Sequence, residues 1–376
     1  MISVGVIGIG NAGSQVAARC KERLGIDVLA INSSEKDLQT IPDSVPKLLI
    51  GDSKGAGKER RAAKLFLKDS IKTIISEEKL AEIFDQEILF IVSSTGGGTG
   101  SGSAILLSNI VSEIYPATKV IVVGILPTLK EALSTQLNTM SYLEELYNTL
   151  EGATYMLYDN EKLSKLPSNT MMTTINDSIV NDIDVIRGTY QLPTAFSSID
   201  EKDMLNVLTT PGRIVVAGLM DLSEKDLDGT NIDTLLIQQL KNNTHAELQR
   251  DKIVYRTGII SNLSDRLSEQ YDSHIPEVQT FIGTPVEEFE HIVINSDRKL
   301  PNNVFLIAAG LSQVNDRIRK INDRVDEIQE AQKQLEDESE LNATDFRKMS
   351  DGIVRRKAGE ASGNVDLQGI FSKFDI

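Results

Sequence analysis

The sequence predicts an α/β fold: a parallel Rossmann-like sheet, a long central helix, a smaller α+β C-terminal domain, a long C-terminal helix and a flexible tail. Three observations predict it. Apolar runs of strand length alternate with helix-length stretches in the first half of the chain, which gives a parallel sheet covered on both faces. Several strand-to-helix joints are glycine-rich, at the edge where such sheets bind ligands. Between Leu311 and Glu338, apolar residues recur in alternating steps of four and three, the spacing of a long helix packed along something.

The 376 residues suffice for two domains of ordinary size. Hydrophobic residues at 40% and charged residues at 25% suit a soluble globular chain. No apolar run approaches the roughly 20 residues a bilayer span needs, so no membrane partner is expected. Met1 to Ile7 lacks a basic stretch and reads as a first strand rather than a secretion signal. The single cysteine, Cys20, excludes an intramolecular disulfide and fits a reducing cytoplasm. On its helix it reads as a small core residue. A net charge of −16 argues against a nucleic-acid-binding body. His245, His274 and His291 are scattered without ligand spacing, so no structural metal site is expected.

The elements follow in order. Val4–Ile7 is a strand, and Ser14–Leu24 a helix. Between them Gly8, Gly10 and Gly13 fit G-x-G-x-x-G, a dinucleotide fingerprint. A nicotinamide site also wants an acid after the second strand, Val28–Ile31. Asn32, Ser33 and Ser34 stand there instead, so the first loop reads as binding phosphate or base. Strand Lys47–Ile50 leads into Gly51–Gly57 and a basic helix start, Lys58–Arg61. This is not a Walker A loop, because Glu59 stands where Ser or Thr must follow the lysine. A solvated surface loop is its other reading.

The densest glycine run is Gly96–Gly102, with five glycines in seven residues. It follows strand Ile88–Val92 and precedes helix Ser103–Glu113. Glycine lets backbone N–H groups turn toward an anion, and the helix N-terminus adds partial positive charge: together they make a phosphate cradle. Thr99 and Ser101 can offer hydroxyls to a phosphate or a metal-bound water.

Strand Lys119–Leu126, loop Pro127–Glu131, helix Ser134–Thr149 and strand Thr154–Tyr158 complete the sheet, ending at Asp159–Leu163. Thr170–Tyr190 reads as one helix with an apolar stripe at Ile175, Ile179, Ile183 and Ile186. Ser197–Asp203 leads into a short helix, Met204–Leu208. In the C-terminal domain, strands are expected at Arg213–Leu219, Ile253–Ile260, Val278–Ile282 and Val304–Ala309. Helices are expected at Asp233–Lys241 and Pro285–His291. The expected boundaries are 1–167 for the nucleotide-binding domain, 168–192 for the central helix, 193–310 for the C-terminal activation domain, 311–342 for the amphipathic helix and 343–376 for the tail. The amphipathic helix is expected to pack on its own body, with a neighbouring subunit as the alternative. The tail carries a basic patch, Arg347, Lys348, Arg355, Arg356 and Lys357, and an apolar end, Leu367–Ile376, that reads as a docking peptide.

Asp200 and Asp203 lie three residues apart at a helix start. Carboxylates so placed can share a face and hold a water or cation. They also suit plain N-capping. Spacing alone does not choose.

This order of motifs resembles the tubulin/FtsZ superfamily over roughly residues 2–310, with the Gly96–Gly102 heptapeptide GGGTGSG its most specific part. Some features point away from cell-division FtsZ. Ser134 and Thr135 stand where FtsZ has an arginine pair, the FtsZ partner-binding peptide is absent, and the C-terminal helix is long. The chain is most similar to the plasmid and phage GTPases of the TubZ group.

The resemblance implies binding of GTP or GDP with Mg²⁺. Gly8, Gly10, Asn11 and Ala12 would line the α- and β-phosphates, with Asn32 near the metal. Gly55, Ala56 and Gly57 would approach the γ-phosphate. Gly96, Gly97, Gly98, Thr99 and Gly100 would donate backbone N–H groups to the β- and γ-phosphates. Glu131 would touch the ribose and Asn160 the guanine. Met172 and Asn176 fit the family's stacking and pairing positions on the central helix, although no aromatic is present. Asp177 and Asn181 form a competing register, and solvent-facing polar residues are a third reading. Asp200 and Asp203 match the catalytic acidic loop, which acts across a head-to-tail contact in a filament.

The same resemblance implies a polymerisation-activated GTPase in a bacterial host's cytoplasm that segregates plasmid or phage DNA. A DNA-bound adaptor of the TubR type would contact the C-terminal region, with no direct sequence-specific DNA binding by this chain. An FtsZ-type division GTPase is the alternative. A remoter one is an NAD-dependent oxidoreductase built on Gly8, Gly10 and Gly13. That reading leaves residues 96–102 unexplained and finds no His or Cys placed for hydride chemistry.

Overall fold

The computed structural model describes residues 2–339 except 77–81, 150–151, 189–193, 195–197, 250, 252, 270, 273 and 295–299. The expected tail, its basic patch and its docking peptide therefore lie outside the described residues. The strands are β1 Val4–Ile9, β2 Asp27–Asn32, β3 Lys47–Leu49, β4 Ile88–Ser94, β5 Lys119–Leu126, β6 Thr154–Asp159, β7 Gly212–Leu219, β8 Ile253–Leu263, β9 Thr284–Ile294 and β10 Asn303–Leu311. The main helices are α1 Gly10–Leu24, α2 Arg60–Ser76, α3 Thr99–Ile114, α4 Leu133–Thr149, α5 Ser168–Gly188, α6 Glu201–Leu208, α7 Ile232–Asn242, α8 Pro276–Ile282 and α9 Asn315–Ser339.

The strands join into one sheet in the order β3-β2-β1-β4-β5-β6-β7-β10-β8-β9. From β3 to β6 all pairings are parallel. The β6–β7 joint is slight, with Thr154 opposite Gly212 and Tyr155 opposite Arg213. Beyond it, β10 runs antiparallel to β7 and β8, while β8 and β9 are parallel.

The apolar runs are continuous because both sheet faces are buried. In β4, Ile88, Phe90 and Val92 point into one core, and Leu89 and Ile91 into the other. The first core is closed by α1 and by the Ile175, Ile179, Ile183 and Ile186 stripe of α5. The second is closed by α2, α3 and α4, through Leu67, Ile105 and Leu143 among others. The α5-side core continues past β6 to Ile214, Val216, Ile260 and Ile307. The opposite face of the C-terminal strands has a core of its own, with α7 and α8. The central helix thus shares one apolar core with both halves.

Two expected elements exchange type. Val278–Ile282, expected as a strand, lies in helix α8, and Pro285–His291, expected as a helix, lies in strand β9. Pro276 sits in the first turn of α8, where a missing N–H costs nothing, and Gly283 at φ 113° follows its end. The glutamates of β9 suit a helix by propensity, but as the sheet's edge strand they meet solvent, and β8 supplies the register. Several helix starts also move. α1 begins at Gly10 rather than Ser14 and α3 at Thr99 rather than Ser103, so these glycine loops run directly into their helices. α6 begins at Glu201 rather than Met204. α2 begins at Arg60 rather than Lys58, whose φ is 64°, and α9 begins at Asn315 because β10 runs on to Leu311.

α9 packs on its own body: Ile321 and Val325 are buried, as is Val314 just before the helix. No helix among the described residues is long and apolar enough to cross a membrane.

Candidate functional site

Parallel strands deliver their C-terminal ends to one edge, and the glycine loops meet there. Two adjoining cavities open along this edge. One, of about 290 Å³, is lined by Gly10, Asn11, Ala12, Asn32 and Gly97–Gly100. The other, of about 460 Å³, is lined by Glu131, Asn160, Met172 and Asn176. Ala12 and Ser94 belong to both walls. Of the expected phosphate residues, Gly10–Ala12, Asn32 and Gly97–Gly100 line one end of this cleft, and the expected base residues line the other.

The first chamber is built by backbone approach. A Cβ at Gly10, whose φ is 73°, would lie 3.1 Å from the Gly100 amide nitrogen. One at Gly98 would lie 2.8 Å from the Lys58 Cα and 2.9 Å from its nitrogen. Side chains cannot enter either contact, so glycine is required where the loops touch. Gly55, Ala56 and Gly57 do not line the chamber; this third loop stands behind Gly98, with the Ala56 Cβ 3.1 Å from where a Gly98 Cβ would be. Gly8 and Gly96 also lie behind the lining. The second loop is tied in by a 2.6 Å hydrogen bond between the Ser33 and Thr99 hydroxyls, both buried.

Several supporting residues carry no local sequence signal. Asn138 Nδ2 donates to the carbonyls of Lys58 at 2.9 Å, Gly97 at 3.1 Å and Gly96 at 3.3 Å. It draws carbonyl oxygens of two loops to the same side. Lys58 Nζ donates to Thr135 Oγ1 at 3.1 Å. Arg60 donates to the Ser101 carbonyl at 3.0 Å and pairs with Glu145 at 2.7 Å. Asp37 also lines the phosphate chamber and accepts from Asn32 Nδ2 at 3.3 Å. A carboxylate beside a phosphate cradle repels a bare polyphosphate and fits one whose charge is shared with a cation. The residues present thus fit a nucleotide carrying a magnesium ion, which Asp37 and Asn32 would face.

In the second chamber Asn160 Oδ1 is buried with no hydrogen-bond partner. Such an atom is costly unless a ligand satisfies it. Glu131 Oε1 accepts from the Thr128 amide at 2.9 Å, fixing its loop. Met172 is half exposed on the cavity wall. The competing register faces elsewhere. Asp177 pairs with Arg19, and with Arg23 at 3.5 Å, while Asn181 Oδ1 accepts from Arg23 at 2.7 Å. Both contacts are with α1, so Met172 and Asn176 form the cleft-facing pair.

Asp200 and Asp203 line neither cavity. They form a reciprocal capping box at the start of α6, with Asp200 exposed and Asp203 partly exposed. Helix α5 separates them from the cleft in the chain. Its first turns line the base chamber, and its 21 residues span about 30 Å. Its last turn reaches the far end of α1, where Arg187 donates to the Leu24 carbonyl at 3.0 Å. The acidic pair follows that far end.

Two histidines are buried: His245 Nε2 lies 2.8 Å from Asp182 Oδ2, and His291 Nδ1 accepts from the Ile199 amide at 3.1 Å. The exposed His274 meets Glu288 at 3.2 Å and Glu290 at 3.3 Å, a grouping its sequence position does not suggest. These carboxylates hold its imidazole pKa above the ordinary value.

Residues 3–167 match the Tubulin/FtsZ family, GTPase domain. The tubulin-like protein CetZ of Pyrococcus horikoshii is 27% identical over 222 residues, 57% of this chain. The chain spans 60% of that relative's length. The tubulin-like protein TubZ of Clostridium botulinum C phage is 22% identical over 362 residues, covering 93% of this chain and 92% of its own. The crystal structure of Clostridium botulinum phage c-st TubZ superposes with a TM-score of 0.70 at 19% identity, covering 88% of this chain and 98% of that one. This last likeness concerns the fold.

Proposed function

We propose, from the match of residues 3–167 to the Tubulin/FtsZ family, GTPase domain, that the chain binds GTP in this cleft and hydrolyses it between stacked subunits. The observation that carries the reading is the two-chambered cleft, glycine-lined at one end and holding the unpartnered Asn160 Oδ1 at the other. The polyphosphate lies over Gly10–Ala12 and Gly97–Gly100, with guanine between Asn160, Met172 and Asn176 and the ribose by Glu131. Mg²⁺ shares the charge of the phosphates.

Asp200 and Asp203 act on another copy's nucleotide. They lie off the cleft of their own subunit, so the site is completed when a second subunit stacks head to tail. Their carboxylates orient the attacking water, while glycine-loop amides and the α3 N-terminus stabilise charge on the phosphoryl group. Such contacts do not close on themselves and give filaments.

The similarity to phage TubZ runs through the C-terminal helix, which favours a TubZ-type role. In that role the filament segregates plasmid or phage DNA, docked through a TubR-type adaptor at the C-terminal region, in a bacterial cytoplasm.

The decisive experiment is GTP turnover per subunit against protein concentration. A shared site makes it rise steeply with assembly; turnover that stays constant per subunit overturns the shared site. Electron microscopy of the GTP-assembled protein then separates twisted multi-strand filaments from the single protofilaments of an FtsZ-type protein.

A further inference from the structure

Helix α9 lies outside the cleft, yet it anchors the cleft's base side. Arg317, in its first turn, is 4% exposed. Its Nε donates to Asp159 Oδ2 at 2.8 Å, and a terminal guanidinium nitrogen donates to the Pro127 carbonyl at 2.5 Å. Arg324, seven residues on and so on the same helix face, donates from Nε to the Leu129 carbonyl at 3.2 Å.

Both strapped carbonyls belong to the Pro127–Glu131 loop, which carries Glu131. Asp159 immediately precedes Asn160, and its Oδ1 accepts from the Glu161 amide at 3.0 Å. The two segments are also tied to each other, because the Leu129 amide donates to Glu161 Oε2 at 2.6 Å. One network therefore holds Glu131 and Asn160, and its most buried link is the ion pair from α9. Burial raises the Asp159 carboxyl's pKa and the guanidinium pulls it back, so the carboxylate depends on its partner.

We infer that α9 is a nucleotide-coupled strap, in which Arg317 is the positioning residue that keeps the Pro127–Glu131 loop and Asn160 in binding geometry. This rests on the GTP reading above. Coupling of this kind is reciprocal: docking α9 slows nucleotide release, and bound nucleotide holds α9 down.

The test is release of a fluorescent GDP analogue and steady-state GTP turnover in the full chain. Arg317→Met is expected to speed release about tenfold and raise KM to match, with kcat at saturating GTP kept within about twofold. Arg317→Lys, which keeps the charge but loses the fork, falls between. Arg324→Ala sits at a partly exposed position with less risk to folding, and is expected to speed release about threefold. Arg319→Ala, at an exposed position on the same helix, leaves release unchanged.

Hydrogen exchange reads the strap without nucleotide. Exchange at residues 127–131 and 160–163 rises in Arg317→Met and Arg324→Ala, and GTP slows exchange at 315–325 in the wild type. Folded Arg317→Met and Arg324→Ala proteins that release nucleotide at the wild-type rate overturn the inference. A wild-type chain that binds no guanine nucleotide overturns the GTP reading and the coupling with it, even where exchange responds to Arg317→Met.

Discussion

Asp200 and Asp203 cap one helix for each other: the Asp203 amide donates to Asp200 Oδ1 at 2.8 Å, and the Asp200 amide to Asp203 Oδ2 at 3.2 Å. The capping and catalytic readings of this pair are therefore not exclusive, and one substitution separates them. Asparagine caps about as well as aspartate, so Asp200→Asn keeps its thermal stability while Asp200→Ala loses about 1 kcal/mol. The carboxylate's role with water is lost in both. Each variant is expected to assemble with GTP and release phosphate about a hundredfold more slowly. Undiminished phosphate release from assembled Asp200→Asn leaves the pair with a capping role alone.

The contact between Gly98 and Lys58 makes the phosphate chamber sensitive to one methyl group. In Gly98→Ala the new Cβ meets backbone at 2.8 and 2.9 Å, which no rotamer change relieves. The Gly55–Lys58 and Gly96–Gly102 stretches must part, at a cost of about 1–3 kcal/mol in denaturant unfolding. Nucleotide affinity is expected to fall by about tenfold or more, measured by titration with a fluorescent GTP analogue. Gly188→Ala is the control, because a Cβ there meets nothing within 4 Å among the described residues.

What the sequence makes legible follows from how local each signal is. The Gly96–Gly102 cradle is readable because strand, glycines and helix are contiguous. Asn138 is not, because its three acceptors belong to loops about eighty and forty residues away, at Lys58 and at Gly96 and Gly97. The choice between Asn176 and Asp177 is a turn of about 100° around α5. Asp177 turns toward Arg19 and Arg23 on α1, contacts that no pattern within α5 reveals. The exchange of α8 and β9 has the same origin: β8 dictates an edge strand to a glutamate-rich run whose own propensity is helical.

Asn160 sits where an unpaired buried oxygen is costly, and guanine offers N–H donors to satisfy it. Asn160→Ala is expected to weaken GTP binding by about 1–2 kcal/mol, or roughly five- to thirtyfold. Binding of ATP, which lacks the matching donors, is expected to change little. Isothermal titration of both nucleotides against wild type and variant checks this. Equal losses for GTP and ATP place the side chain's role in folding the turn rather than in reading the base.

Cys20 reports on the helix whose N-terminus borders the phosphate chamber. It is fully buried on α1, and burial pushes its thiol pKa up to about 12, with Arg23 only partly opposing. At pH 8 about one thiol in ten thousand is ionised in the native protein, so a thiol-reactive probe should label Cys20 essentially only through opening or unfolding. Labelling is expected to be complete in denaturant and much slower in buffer. GTP slows it further by stabilising the closed form. The sign of the pH effect follows from a raised folded-state pKa. The protonated thiol's contribution to stability is fully present below the ordinary value near 9.0, and is lost as pH rises through the folded value near 12. Cys20→Ala is therefore expected to flatten the alkaline side of the stability curve. Native labelling as fast as in denaturant contradicts the packing of α1 against β1 and β4.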